Sequence, residues 1–358
     1  MKDSFQLLIN ILNLVVGLLV TITLLTIVII GIIVMTFNRT SSQTSDLIAS
    51  AGTKVIPVAA DTYRGVISKE GLWSAPAWDT MEHEPNSNLI KYGKELIVNT
   101  SEFLGPNGSV LKITNGMNCQ NCHLDAGTAP LGNNYSAVFS TYPKIRGRSG
   151  KMEDIPKRVN DCFERSLNGK ALDINSKEMQ AITAYMEWLG KDVPKGEAPK
   201  GVGIYDVPLL DRAADPINGK AVYAQFCQSC HMENGQGMMK ANKTGYTYPP
   251  LWGDNSYNNG AGLYRLSRFA GYVKTNMPLG TTFERPLLTD EQAWDVAAYV
   301  NTMERPQKDL SGDWPDISKK PMDHPFGPYV DEFSEEQHKF GSFQAIKDAK
   351  EKAVKRKF

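Results

Sequence analysis

Two short runs, CQNCH at residues 119–123 and CQSCH at residues 227–231, restrict what this chain can fold into more than anything else in its 358 residues. A pair of cysteines two residues apart, followed at once by a histidine, is the attachment sequence for c-type haem. The thiols add to the porphyrin vinyl groups and the histidine becomes the proximal ligand of the iron. A structural disulfide or half of a zinc site would leave the histidine after both pairs unexplained. Cys119, Cys122, Cys227 and Cys230 are therefore expected to hold two covalently attached haem c groups, with His123 and His231 on the irons.

The surroundings of the two motifs repeat one plan. Before the first, LIKYGKELIVNTSEFLG has apolar residues at helical spacing, with Gly93 where two helices can cross closely. KEMQAITAYMEWLG, residues 177–190, closes that unit, with Ser176 as N-cap and Gly190 at its end. Before the second motif, NGKAVYAQF places Gly219 and Tyr223 on a short helix, and TDEQAWDVAAYVNTM, residues 289–303, closes the unit from a capping box of Thr289 and Gln292. The expected fold class is mainly α: two cytochrome c-type helical domains in tandem, preceded by one N-terminal transmembrane helix. The boundaries read as a membrane anchor over 1–40, a tether and arm over 41–86, cytochrome c domains over 87–190 and 215–306 joined by a linker over 191–214, and an extension over 307–358. Prolines keep the linker extended, holding the two haems at a defined separation. Trp73 and Trp78 of the arm are expected to dock on the first domain, and the aromatic extension to pack on the body before its basic, solvated end.

Residues 14–35 are almost wholly apolar, enough to span a bilayer, which takes about 20 residues. The following TFNRTSSQ lacks a small-residue cleavage pattern, so the segment reads as an uncleaved anchor in the lipid bilayer. Because haem is attached on the outer side of the bacterial cytoplasmic membrane, the domains are expected on the periplasmic face. Net charge is zero, which gives no support for nucleic-acid binding, so any charge selectivity must be local.

Each iron needs a second axial ligand. In the second domain Met277, in KTNMPLG, lies on a loop stiffened by Pro278, with Asn276 able to hydrogen-bond around the sulfur; Lys274 is the runner-up. The first domain has no such loop. Met152 is charge-flanked, Met179 and Met186 belong to the closing helix, and Cys162 stands in the ligand interval. A lone cysteine is commonly buried and inert, but beside a haem a thiolate binds ferric iron, lowers its potential and stays nucleophilic toward sulfur. Around it lie Arg146, Arg148, Arg158 and Arg165 with Ser166 and Asn168. Guanidinium forks beside a haem face make an oxoanion pocket.

The runs CQNCHLDAGTAP, YPKIRGRSG and RVNDCFERSLNG, with the NMPLG loop and HPFGPYVDEFSEEQHKFG, resemble the dihaem thiosulfate dehydrogenases, which interconvert thiosulfate and tetrathionate. The likeness runs from about residue 72 to 346, and its most discriminating part is CF-x-RS-x-NG. It implies that His123 and Cys162 ligate the catalytic haem, that Arg148, Arg158 and Ser166 hold substrate, and that Met277 ligates a relay haem. The electron partner is then a cytochrome c or a membrane respiratory complex. The anchor and the basic C-terminus depart from the soluble family pattern. Two other readings use the same residues: a tethered dihaem electron carrier without its own substrate, and an enzyme acting on carrier-bound thiosulfate.

Overall fold

The computed structural model describes residues 71–355, together with six positions between 17 and 26. The expected anchor and most of the tether lie outside the described residues; among those described, no helix is long and apolar enough to cross a membrane.

Two helical cores follow one another along the chain. In the first, α1 (Ser87–Val98) crosses α3 (Lys177–Leu189), and α2 (Ile155–Arg165) packs beside them. Ile90, Leu96, Ile97, Phe163, Met179, Ile182 and Leu189 fill the space between. Gly93 sets the crossing: a Cβ built there would lie 2.0 Å from the Ala181 carbonyl oxygen. The second core repeats this, with α4 (Pro216–Phe226) against α6 (Asp290–Thr302) and α5 (Leu266–Asn276) across α6. Gly219 stands where Gly93 did, with a Cβ position 1.9 Å from the Asp295 carbonyl oxygen, and Tyr299 takes the place of Tyr185. The caps form as expected. The Ser176 hydroxyl accepts from the Met179 amide, and Thr289 and Gln292 bond reciprocally.

Two small hairpins interrupt the helical plan, β1 (Lys144–Arg146) with β2 (Lys151–Glu153) and β3 (Met238–Met239) with β4 (Tyr246–Tyr248). The first carries Arg148 at its turn. The strands are too short for an alternating pattern to mark them in sequence.

The arm docks on the first domain, where Trp78 meets Trp188 edge-on at 5.5 Å and Trp73 packs against the core; the Trp73 amide donates to the Lys200 carbonyl of the linker. The linker follows the first attachment loop, accepting the amides of Leu131 and Asn133 at Gly201 and Gly203. The extension packs on both domains. The Trp314 amide donates to the Arg148 carbonyl of the first domain, Phe326 stacks on Tyr264 of the second, and Phe343 and Ile346 of the helix Phe343–Lys355 are buried in the second core. Direct ties join the domains, including Tyr272 Oη to the Asn121 carbonyl at 2.7 Å and Asn115 Nδ2 to the Ser256 carbonyl at 3.0 Å.

Candidate active site

Helix α2 builds the first site. Asp154 caps it through the Lys157 amide and Pro156 sits in its first turn, leaving Arg158, Cys162 and the C-cap Ser166 at four-residue intervals along one face. The adjoining stripe of Ile155, Val159 and Phe163 is buried and lines the same cavity, which fixes the rotation of the helix. Cys162 thus lines a cavity of about 330 Å³ together with Cys119, Cys122 and His123. His123 Nδ1 lies 2.5 Å from the Asn133 carbonyl oxygen. A carbonyl only accepts, so Nδ1 carries the proton and Nε2 is left as the free ligand nitrogen. Burial pushes the imidazole down to about 4, which keeps it neutral as iron ligation requires. Burial also pushes Cys119 and Cys122 up to about 12, so neither is a resident nucleophile. Met186 faces the same cavity from the closing helix; Met152 is exposed.

A second cavity, of about 610 Å³, is lined by Cys227, Cys230, His231 and Met277. His231 Nδ1 donates to the Pro249 carbonyl at 2.8 Å, the same tautomer as in the first site. Met277 caps α5 and faces this cavity, whereas Lys274 points away, its ammonium donating to the Leu288 carbonyl and pairing with Asp290 at 2.8 Å. The expected bond from Asn276 toward the methionine sulfur is absent. Its amide donates instead to the carbonyls of Leu131 and Tyr272 and to the Thr275 hydroxyl, a tie to the first domain that sequence spacing cannot reveal.

Haem fits both cavities. Each is mainly apolar and gathers both thiols of a C-x-x-C-H run with a histidine already in the ligating tautomer, and at the first the buried Tyr142 hydroxyl has no hydrogen-bond partner among the described residues. Cys122 borders both cavities.

A third, polar cavity of about 190 Å³ adjoins Cys162 and is lined by six arginines, 146, 148, 158, 165, 265 and 268. Arg165 makes a bidentate pair with Asp313, at 2.9 and 2.7 Å. Arg148 donates to the Gly260 carbonyl at 2.7 Å and lies 3.8 Å from Asp313; burial and the neighbouring Arg165 push its guanidinium down to about 10. Arg265 is held by buried Asp323, Arg146 lies 3.8 Å from buried Glu153, and Arg268 pairs with exposed Asp206. Arg158 alone of the six has no carboxylate within ion-pair distance among the described residues. Its Nη1 lies 3.0 Å from Cys162 Sγ, and the charge that sulfur can carry holds the guanidinium above its ordinary value.

The expected residues Arg148, Arg158, Cys162 and Ser166 thus meet at one cavity. Arg265, Arg268, Asp313 and Asp323 are partners that sequence reasoning missed, since they lie about 100 residues or more from Cys162 and carry no local motif.

Residues 111–194 match the SoxA/TsdA cytochrome c domain, and residues 217–304 match cytochrome c. A thiosulfate dehydrogenase of Stutzerimonas stutzeri (strain A1501) is 36% identical over 242 residues, covering 66% of this chain and 74% of the relative. The chain belongs to the thiosulfate dehydrogenase family. Another thiosulfate dehydrogenase, from Psychrobacter arcticus, is 40% identical over 206 residues, 57% of this chain, and this family member spans 61% of that relative's length. A solved structure of the thiosulfate dehydrogenase TsdBA from Marichromatium purpuratum superposes with a TM-score of 0.61 at 32% identity, covering 66% of this chain and half of that one. Two tandem cytochrome c domains imply haem c as the resident cofactor of this family member.

Proposed function

We propose that this chain interconverts thiosulfate and tetrathionate at the Cys162 face of its first domain, where His123 and Cys162 would hold one haem iron, as His231 and Met277 would hold the other in the second domain. The observation that carries the reading is the position of Arg158, the one pocket guanidinium without a carboxylate partner among the described residues, directed at a thiol. An electron carrier has no need of an unneutralised arginine beside a cysteine.

Joining two thiosulfate dianions means overcoming their repulsion. Arg158 offsets the charge of the first as its outer sulfur meets Cys162 Sγ, and Ser166 borders the same space. The sulfur–sulfur bond forms with loss of two electrons, leaving Cys162 as an S-thiosulfonate. The outer sulfur of a second thiosulfate then attacks the adduct's sulfur bonded to Cys162 Sγ, breaking that bond and releasing the Cys162 thiolate and tetrathionate. Two covalently attached haem c groups, one per C-x-x-C-H run, supply two one-electron acceptors for a two-electron reaction. Run in reverse, the same steps reduce tetrathionate. Residues 14–35 tether the domains to the outer face of the bacterial cytoplasmic membrane, where a cytochrome c or a respiratory complex exchanges the electrons.

The test is to add thiosulfate to the air-oxidised, detergent-purified protein and follow haem reduction and tetrathionate together. Both are expected, and both are expected to vanish in Cys162→Gly. Haem reduction retained in that variant refutes the covalent step; a parent protein inert toward thiosulfate and, when reduced, toward tetrathionate is a tethered electron carrier.

A further inference from the structure

The six arginines of the polar cavity are not equally available to an incoming anion. Three carboxylates that are themselves nearly buried hold four of them: Glu153, 2% exposed, faces Arg146; Asp313, 12% exposed, takes Arg148 and Arg165; and Asp323, fully buried, takes Arg265. Giving up such a pair would strand a desolvated carboxylate, which is strongly unfavourable. Arg158 is free of any such partner and sits at the Cys162 end. Arg268 is the remaining case. Its side chain is 36% exposed, and its partner Asp206, on the linker, is 83% exposed at 3.1 Å. An ion pair so open to water contributes little, and Asp206 can swing into solvent at almost no cost.

We infer that Arg268, a residue of the second cytochrome domain, is the outer anion seat of the pocket and binds the sulfonate group farther from Cys162, with Asp206 as the internal anion that it gives up. Tetrathionate carries one sulfonate at each end, and the two guanidiniums not held by a buried carboxylate, Arg158 and Arg268, stand in one cavity. The second domain therefore supplies substrate binding as well as a route for electrons. This inference rests on the proposed thiosulfate and tetrathionate chemistry.

The experiment compares the parent dihaem protein with Arg268→Ala, Arg268→Lys and Asp206→Asn. Calorimetry measures tetrathionate binding to the fully oxidised proteins, which lack the electrons to complete its reduction, and steady-state kinetics gives KM and kcat. Losing one charge-assisted contact weakens binding about tenfold, so Arg268→Ala is expected to raise Kd and KM by that factor, with a larger effect on KM than on kcat. Arg268→Lys recovers part of the loss, Asp206→Asn tightens binding, and both haem absorption spectra stay as in the parent. Unchanged binding in Arg268→Ala overturns the inference alone. So does weakening in Asp206→Asn to match Arg268→Ala, which would make the pair a structural tie, and so does an altered haem spectrum. A parent protein that neither binds nor turns over tetrathionate overturns the functional proposal together with this one.

Discussion

Arg158 and Cys162 stand one helical turn apart on α2, with the guanidinium Nη1 3.0 Å from the cysteine sulfur. The contact follows from i, i+4 spacing on a helix whose adjoining stripe, Ile155, Val159 and Phe163, is buried. It brings a fixed positive charge to the one thiol outside the attachment motifs. A hydrogen bond to a charged group contributes about 1.5–3 kcal/mol, so Arg158→Ala is expected to lower turnover roughly 10- to 100-fold. Arg158→Lys keeps the charge but not the fork and recovers only part of the loss. Steady-state rates with thiosulfate and with tetrathionate check this, and an alanine variant as active as the parent would remove Arg158 from the site.

Met277 faces the second cavity while Lys274 is spent on Leu288 and Asp290. Thioether ligation raises a haem potential. Redox titration of Met277→Leu is expected to show one of the two haem potentials lowered and the other unmoved. Lys274→Ala should leave both potentials in place and lower stability. The opposite pattern would make the lysine the ligand.

Gly93 and Gly219 are equivalent points of two helix crossings, each with a carbonyl oxygen about where a Cβ would be, at 2.0 and 1.9 Å. Overpacking of this kind costs about 1–3 kcal/mol or more. Gly93→Ala and Gly219→Ala are each expected to destabilise the protein by at least that amount in denaturant unfolding. Since each crossing carries the helix that leads to an attachment motif, haem incorporation should fall selectively in the affected domain. Substitutions without effect would mean that the crossings can open.

His324 is 7% exposed, lies against Trp314 and Phe326, and is pushed down to about 4 by burial, aided by Lys320, Arg148 and Arg265. Its unfolded value is about 6.5. Between these two values the unfolded chain binds a proton that the folded one refuses, so stability falls as pH drops from about 6.5 to 4. Other histidines add to the same slope, so the decisive quantity is a difference. Denaturant midpoints at neutral and acid pH should converge less steeply in His324→Gln than in the parent; equal slopes would show that His324 does not resist protonation.

The parts of the molecule that are local in sequence could be read from it. Both attachment motifs, the helices that flank them, the caps at Ser176 and Thr289, and the cluster on α2 all follow from spacing within a few residues. What could not be read depends on long-range closure. Arg268 looks like any surface arginine on an amphipathic helix until α5 is folded against the first domain. Asn276 looked like a partner for the neighbouring sulfur, but its amide reaches Leu131, 145 residues away. The hairpin at Arg148 was hidden because three-residue strands have no period to detect.

Asp313 and Asp323 follow both attachment motifs and all six pocket arginines along the chain. The two C-x-x-C-H runs and the whole arginine cluster therefore precede, in sequence, the carboxylates that lock Arg148, Arg165 and Arg265 in place. Half of the cluster is neutralised from beyond both cytochrome domains, so a chain cut short before the extension would keep both motifs and all six arginines and leave these three without the carboxylates that pair with them here.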